Sequence, residues 1–304
     1  MIKCCVATMA YNEEYNIGRM LEATLAQKVE EVEITEIIVV ASGCTDRTED
    51  IVNHHADRDA RIQLLIQPKR CGKSSAINLL LQNTTAQVIV LVNADTIPAP
   101  EAIERLVIPL HDPEIGMTGG HPVPLNDERT FMGYAAHLLW RLHHRICLHH
   151  PKMGEMIAFR NFFHQIPPES AVDEASIEPL IRGQGLRLHY AADAIVYNQG
   201  PTTIQDFMRQ RRRIFAGHNY VRDTLGYRVA TMKGLRILWL LLRHPDVERD
   251  WRYFIWGPAV VMLEVLARLR GALDYRFWRR KHTVWEIAET TKTIAAATDS
   301  SPAS

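Results

Sequence analysis

The chain has 304 residues, of which 47% are hydrophobic and 23% are charged. This length can bury a substantial core, and the composition is that of a soluble enzyme, which excludes a disordered or fibrous chain. The formal net charge is zero, so we expect no nucleic-acid partner.

The first 120 residues alternate short apolar runs with helical patterns. Strands are predicted at 2–8, 36–41, 62–67 and 87–92, and helices at 17–28, 47–56, 74–83 and 100–111. Nearly continuous apolar strands are typical of a sheet that is covered on both faces. The alternation predicts right-handed βαβ units, and therefore an α/β fold with a doubly wound, mostly parallel sheet and helices on both faces.

The pattern changes in the second half of the chain. A strand near 116–124 and a helix near 128–148 are followed by strands near 155–160, 186–190 and 194–197. From residue 204 onwards the chain is mostly helical, with breaks expected at Gly226, His244-Pro245 and Gly257-Pro258. We predict a catalytic domain at 1–225, a helical, basic, Trp-rich extension at 226–292 and a disordered tail at 293–304.

Charge is distributed unevenly along the chain. Residues 1–203 carry 17 Lys/Arg and 25 Asp/Glu, whereas residues 204–304 carry 18 and 10. The basic second part is expected to meet phosphate or an anionic membrane surface, although solvated helix faces would give the same composition. Tryptophan and arginine together are typical of helices at a lipid headgroup boundary, and a helical cap packed on the core is an equal alternative.

Cysteine usage and apolar runs bear on location. The five cysteines are odd in number and show no CxxC spacing, which favours reduced thiols in a cytosolic compartment. We expect no signal peptide, and no run reaches the length of a membrane span. The prediction is a cytoplasmic protein, peripheral on the inner face of the plasma membrane if the extension binds lipid.

Polar side chains follow three of the predicted strands. Tyr11 and Glu13 follow the first strand, Ser42 follows the second, and Asn93 and Asp95 follow the strand predicted at 87–92. The carboxyl ends of parallel strands share one edge of a sheet, so these residues are candidates for a ligand site. Asp95 is a candidate ligand of Mn²⁺ or Mg²⁺, because a carboxylate just past a buried strand commonly holds a divalent cation. Each of these turns can alternatively cap the helix that follows it.

Lys73 lies in a Gly72-Lys73-Ser74 sequence that is similar to part of a phosphate-binding P-loop. That motif requires a glycine at position 67, where this chain has Gln67, and its phosphate cradle depends on the freedom of that backbone. A true P-loop is therefore not expected, but Lys73 at a helix start can face a diphosphate.

Acidic and basic groups appear further along. Asp173-Glu174 opens a predicted helix, where acids either complement the helix dipole or serve as a catalytic base. Gln210 and Arg213 share one helix face, with Arg212 beside them, and arginine forks recognise phosphate oxygens bidentately. The histidines between 137 and 150 show no HExxH pattern and are expected at the surface or an interface.

The order of these motifs resembles that of the family 2 glycosyltransferases, which have a GT-A-like fold. The resemblance covers residues 1 to about 218. The matching stretches are AYNEE, EIIVVASGCTDRTEDIV, GKSSAINLLL, VIVLVNADTIPAP, MIAFRN and VDEASIEPLIRGQGLRLHYAADAIVYNQGPTTIQDFMRQRRRIFAGH.

The resemblance implies a role for several residues. Tyr11 would pack on the base of the donor, and Asp95 would be the metal-binding end of the family's DxD motif. Asp173-Glu174 would be the acidic pair that supplies the general base of an inverting displacement. Gln210 and Arg213 match part of the QxxRW signature, which contacts the diphosphate and the acceptor.

The chain departs from the family pattern at four places. Ala41-Ser42 replaces the aspartate pair that reads the base, and Asn93 replaces the first acid of DxD. The acidic pair is written Asp173-Glu174, where the family has Glu-Asp, and Ile214 replaces the signature tryptophan. These departures leave open the nucleotide, the identity of the base and any processive synthesis.

The implied function is a metal-dependent, inverting hexosyltransferase. It would move a sugar from a UDP- or GDP-linked donor to a glycan or lipid-linked acceptor, in cell-envelope polysaccharide or glycolipid synthesis. The alternative is a non-catalytic sugar-nucleotide-binding or scaffolding relative of the same fold. A sugar-phosphate nucleotidyltransferase would require a Gly-rich loop after the first strand, which AYNEE does not supply.

Overall fold

The computed structural model describes residues 1–168, 172–227 and 251–276. The predicted tail at 293–304, the predicted break at His244-Pro245 and most of the predicted extension at 226–292 lie outside these residues.

A mixed β-sheet of eight strands forms the centre of the described chain. The strands are β1 (Ile2–Ala10), β2 (Val32–Ser42), β3 (Ile62–Gln67), β4 (Val88–Val92), β5 (Thr96–Pro98), β6 (Ile115–Pro124), β7 (Met156–Arg160) and β8 (Arg187–Asn198). Their order across the sheet is β3-β2-β1-β4-β7-β6-β8-β5. The first four strands in this order are parallel, as are β6 and β8, whereas β7 is antiparallel to β4 and β6, and β5 is antiparallel to β8.

Helices cover both faces of this sheet. They are α1 (Ile17–Leu25), α2 (Thr48–Ala56), α3 (Lys73–Asn83), α4 (Ala102–Val107), α5 (Phe131–His149), α6 (Asp173–Gly183), α7 (Ile204–Leu225) and α8 (Trp251–Arg276). Side chains of β1 alternate between two cores, because successive residues of a strand point to opposite faces. Val6 packs in one core with Leu21 of α1, and Ala7 packs in the other with Ile77 of α3. The predicted α/β class with helices on both faces is confirmed.

Two predicted boundaries are wrong. The strands expected at 186–190 and 194–197 form the single strand β8. The break expected at Gly257-Pro258 does not occur, because α8 continues through it. Proline has no N–H to donate, so one backbone carbonyl of the preceding turn lacks its helical hydrogen bond. Pro258 is exposed, so water can reach this turn.

The helices α7 and α8 pack closely against each other. A Cβ added at Gly271 of α8 would lie 2.7 Å from the backbone oxygen of Arg212 on α7, so glycine allows this approach. Gly226 follows the last residue of α7 as its C-cap, and its φ of 65° is the left-handed conformation typical of that position. The break expected at Gly226 is confirmed. Among the described helices, none combines the length and hydropathy that would cross a membrane. The domain division at residue 225 stays a prediction.

Candidate active site

One cleft at the carboxyl ends of β1, β2 and β4 contains almost all of the predicted site. It encloses about 380 Å³, which is within the range of small-molecule sites. The predicted residues that line it are Tyr11, Glu13, Ser42, Lys73, Asn93, Asp95, Glu174, Gln210, Arg212 and Arg213. Asp173 is the first residue of α6, but its side chain lies outside the described structure. Asp95 and Glu174 therefore face one cavity, although they are far apart in the sequence.

Asn93 bridges a lysine and a carboxylate at the end of β4. Lys73 Nζ donates to Asn93 Oδ1 over 2.7 Å, and Asn93 Nδ2 donates to Oε2 of Glu155. Glu155 reaches this position because β7 runs antiparallel to β4, which pairs Met156 with Val92 and puts the preceding residue beside the end of β4. The amide that replaces the first DxD acid thus holds a second carboxylate at the site.

The Glu155 carboxyl is in an environment that opposes its ionisation. Burial raises its pKa, and the Asp95 carboxylate nearby raises it further, while Lys73 and hydrogen bonds from Asn93 and Asn198 lower it. The Asn198 Nδ2 to Glu155 Oε1 distance is 3.5 Å. The net effect is a raised pKa of Glu155. A cation that neutralised both carboxylates would therefore favour their ionised forms.

The oxygen atoms at this end of the cleft fit a divalent cation. Asp95 and Glu155 offer carboxylates, and Oδ1 of the buried Asn198 accepts no hydrogen bond from the described residues. No group of three or more His, Cys, Asp or Glu side chains converges as a metal site within the described ranges. Two carboxylates suffice for Mg²⁺ or Mn²⁺ when substrate phosphates and water complete the coordination.

Tyr11 contacts a residue that the sequence did not indicate. The guanidinium carbon of Arg70 lies 3.9 Å from the centroid of the Tyr11 ring, which is a cation–π contact. Gly43 has a φ of 68°, and a Cβ there would lie 2.6 Å from the backbone nitrogen of Arg70. The loop that carries Arg70 therefore packs directly on the turn after β2.

Glu13 and Ser42 both make internal hydrogen bonds. Glu13 is buried, its Oε2 accepts from Asn16 Nδ2 over 2.9 Å, and its backbone N–H donates to Thr48. Ser42 Oγ donates to Gln67 Oε1 over 2.6 Å. These contacts fix the turns after β1 and β2, while the predicted donor-binding roles of the two residues stay predictions.

Two of the three consecutive arginines pair with acids of α8. Arg211 makes a bidentate pair with Glu264, with distances of 2.6 and 2.7 Å, and Arg212 pairs with the fully buried Asp274. Burial opposes the ionisation of Glu264, but Arg211 and Arg268 outweigh it and lower its pKa to about 2. The sequence predicted a phosphate contact for Arg212 and gave no sign of this anchoring of α8.

Part of the wall of the cleft is apolar. The apolar residues there, mainly from α5 and α7, are Met132, Ala136, Leu139, Trp140, Leu142, Ile146, Phe207, Ile214 and Phe215. His143 and His218 also line it and are buried, and burial, followed by the charge of Lys152, lowers the pKa of each well below its usual value. The surface position expected for the histidines is therefore wrong for His143. A cleft lined by both charged and apolar side chains can take two different substrate groups.

Comparison with known proteins places the chain in a family. The model for "Glycosyl transferase family 2" matches residues 5–171. The chain belongs to glycosyl transferase family 2. The family resemblance inferred from the motifs is confirmed.

The curated relatives of this family 2 chain match it only in part. A dolichyl-phosphate beta-glucosyltransferase from Trichomonas vaginalis is 37% identical over 102 residues, which cover 32% of this chain and 30% of that protein. A probable glycosyltransferase from Bacillus subtilis is 27% identical over 240 residues, which cover 72% of this chain and 56% of that protein. The chain thus spans less than two thirds of the length of either relative.

The solved structures support the fold. A mannosyltransferase from Pyrobaculum calidifontis, in complex with GDP-Man and Mn²⁺, superposes with a TM-score of 0.59 and 20% identity, covering 88% of this chain and 86% of that one. At this identity the similarity establishes the fold alone. The predicted GT-A-like fold is confirmed.

Proposed function

We propose that the chain transfers a hexose, with inversion, from a nucleotide-diphospho-sugar to a hydroxyl or phosphate oxygen of a glycan or lipid-linked acceptor. The observation that carries this proposal is the convergence of Asp95, Glu155 and Lys73 at one end of a cleft whose walls also hold Glu174 and the arginines of α7. Such a transfer needs acids that bind a cation beside the diphosphate, which Asp95 and Glu155 would supply, and an acid beside the incoming acceptor, which Glu174 would supply.

The diphosphate of the donor would lie beside Asp95, Glu155 and Lys73. Mn²⁺ or Mg²⁺ there, held by Asp95 with Glu155 beside it, would neutralise charge on the departing diphosphate. Lys73 adds a cationic group on the same side, and its hydrogen bond to Asn93 orients it. Tyr11 and Arg70 would hold the base. The structural neighbour crystallised with GDP-Man and Mn²⁺ supports a nucleotide-diphospho-sugar donor.

The acceptor would enter from the side of α6 and α7. Its oxygen attacks the anomeric carbon opposite the diphosphate, the bond from that carbon to the diphosphate breaks, and the nucleoside diphosphate leaves. When the acceptor is a hydroxyl, the carboxylate of Glu174 or Asp173 takes its proton as general base. Attack from the opposite side inverts the configuration at the anomeric carbon.

The apolar wall supports a lipid-linked acceptor. A free glycan would need mainly hydrogen-bonding side chains for its binding. Leu139, Ile146 and Phe207 instead offer an apolar surface in the same cleft as Gln210 and Arg213. Arginine next to apolar side chains suits a lipid phosphate or diphosphate. The matching dolichyl-phosphate relative supports this choice. A cytoplasmic position at the inner face of the plasma membrane and a role in cell-envelope polysaccharide or glycolipid synthesis are part of the same proposal.

The proposal is tested by donor turnover and nucleotide binding together. Release of UDP from UDP-glucose and of GDP from GDP-mannose is measured with Mn²⁺, with Mg²⁺ and with EDTA, and the anomeric configuration of the product is read by NMR. We expect activity that requires a metal and an inverted product. Nucleotide binding that is indifferent to metal, without turnover, would instead indicate the non-catalytic relative.

Two variants separate the candidate bases. Glu174→Gln or Asp173→Asn should lower turnover by roughly 10² to 10⁴, while calorimetric binding of the nucleotide stays within about twofold of the unmodified protein, since the acid faces the acceptor. Full turnover in both variants would refute the assignment of the base to this acidic pair.

A further inference from the structure

The outward face of α8 is apolar along its whole length. We define the outer face of α8 as the large apolar residues of the helix that are each between 44% and 66% exposed. They are Trp251, Phe254, Ile255, Met262, Val265, Leu266, Leu269 and Leu273. Soluble proteins rarely expose a continuous apolar surface of this kind, and such surfaces mark sites of interaction.

These residues lie on one side of the helix. At 100° per residue they fall within an arc of about 120°, and only Arg276 at the end of α8 adds a charge to that arc. The opposite side carries Gly257, Val260, Ala267 and Gly271, which are buried in the protein. The fold therefore covers the side of the helix opposite the outer face.

The acids of α8 lie on its inner side, and its exposed charged residues are arginines. Its two acids, Glu264 and Asp274, point inward and pair with arginines of α7. The charged residues of α8 that are exposed are Arg270 and Arg276, and within residues 251–276 no acid is exposed. An apolar surface bordered by cations alone complements a surface that is apolar inside and anionic outside, which describes a bilayer with anionic headgroups.

The same helix also borders the cleft. Glu264 and Arg268 of α8 line it, so the outer face is separated from the cleft by the thickness of one helix, about 10 Å. A helix of 26 residues, about 39 Å long at 1.5 Å per residue, could lie flat on a membrane while its inner side holds the enzyme.

We propose that the outer face of α8 docks on an anionic lipid bilayer, with the helix axis in the membrane plane and its apolar side chains at the boundary of headgroups and acyl chains. The cleft is then held at the surface where lipid-linked molecules reside. This last consequence rests on the proposed function, whereas the docking itself does not.

The test is flotation of the full chain with vesicles of phosphatidylcholine and phosphatidylglycerol, and with vesicles of phosphatidylcholine alone. The variant is Ile255→Glu combined with Leu269→Glu, which puts two acids on the outer face. The matched control is Ile66→Glu, because Ile66 is 54% exposed on β3, similar to Ile255 at 62%. Thermal unfolding followed by circular dichroism verifies that each variant is folded.

We expect the unmodified chain and Ile66→Glu to float with the anionic vesicles, with less binding to phosphatidylcholine alone and at high salt. The double variant should bind at least tenfold more weakly. Equal flotation of the folded double variant, or no flotation of the unmodified chain, would overturn the proposal. So would sedimentation showing a dimer that the double variant dissociates while vesicle binding is unchanged, since the outer face would then be covered by a second copy.

The failure of docking and the failure of the proposed function give different results. Flotation needs no nucleotide sugar, so it reports on the outer face alone. Release of UDP or GDP in the absence of vesicles reports on the cleft alone, and we expect the double variant to retain it, because neither substituted residue lines the cleft.

Discussion

Glu264 holds α8 to α7 through Arg211 and also pairs with Arg268 of its own helix, and its removal should destabilise the protein in a way that depends on pH. Its carboxylate is 13% exposed and accepts from Arg211 at 2.6 and 2.7 Å and from Arg268 at 2.8 Å. Glu264→Gln keeps the shape of the side chain but leaves both guanidinium groups without this countercharge.

The pKa of Glu264 gives the size and the sign of the effect. Its pKa falls from 4.5 to about 2 on folding, which corresponds to roughly 3 kcal/mol, since each tenfold change in proton affinity equals about 1.4 kcal/mol. Breaking a buried ion pair from one side costs about 3 to 5 kcal/mol in other proteins, which agrees. Because the folded-state pKa is lowered, this stability is fully present above pH 4.5 and is lost as the pH falls from there towards 2.

The assay is thermal unfolding by circular dichroism at a series of pH values. At neutral pH we expect Glu264→Gln to unfold roughly 5 °C below the unmodified protein, and this difference should shrink below the ordinary pKa of a glutamate. Glu22→Gln is the control, because Glu22 is exposed on α1, and it should unfold within about 1 °C of the unmodified protein. A neutral-pH change as small as that of the control would contradict the stabilising role of Glu264.

Three further substitutions test other contacts. Glu155→Gln should weaken Mn²⁺ binding in calorimetry by roughly 10- to 100-fold, as loss of a group that supports a metal ligand usually does; unchanged affinity would remove Glu155 from the cation site. Arg70→Ala removes a cation–π contact with Tyr11 of about 1 kcal/mol, so UDP or GDP should bind roughly fivefold more weakly, with Arg70→Lys intermediate. Gly271→Ala forces a Cβ to within 2.7 Å of a backbone oxygen of α7 and should cost about 1 to 3 kcal/mol of unfolding free energy. Gly183→Ala is its control, because nothing lies within 4 Å of the added Cβ; equal unfolding temperatures of these two variants would show that Gly271 is not needed for the packing of α8.

Strands β1 and β4 of the parallel half could be predicted because they are buried on both faces, and β3, which is partly exposed, because it is rich in apolar residues. Strands β1, β3 and β4 read as apolar runs, and their observed bounds are within two residues of the predicted ones. The predicted start of β2 was four residues late, since the observed strand begins at Val32. Glu33 and Glu36 interrupt the apolar run there, and their partly exposed side chains hide the strand from a hydrophobicity pattern.

The site residues could be predicted only where they directly follow a parallel strand, because the direction of the strand then fixes their position. Side chains that follow parallel strands meet at one edge, which is why Tyr11, Ser42 and Asp95 line one cleft. Glu155 was missed because its position depends on the antiparallel pairing of β7 with β4, which no local pattern specifies. The pairing of Arg211 with Glu264 joins residues on separate helices, and no local pattern in the sequence indicates it.

The helices α7 and α8 follow the region that the family model matches, which ends at residue 171, yet they line part of the cleft, with Phe207 and Ile214 of α7 and Arg268 of α8 among the lining residues. Strands β1 to β4 and their loops, by contrast, come from the first hundred residues. On the proposed function, the two substrates are thus handled by successive segments of one polypeptide. On that proposal, substitutions in the later segment would change which molecule receives the sugar and leave nucleotide binding as it is.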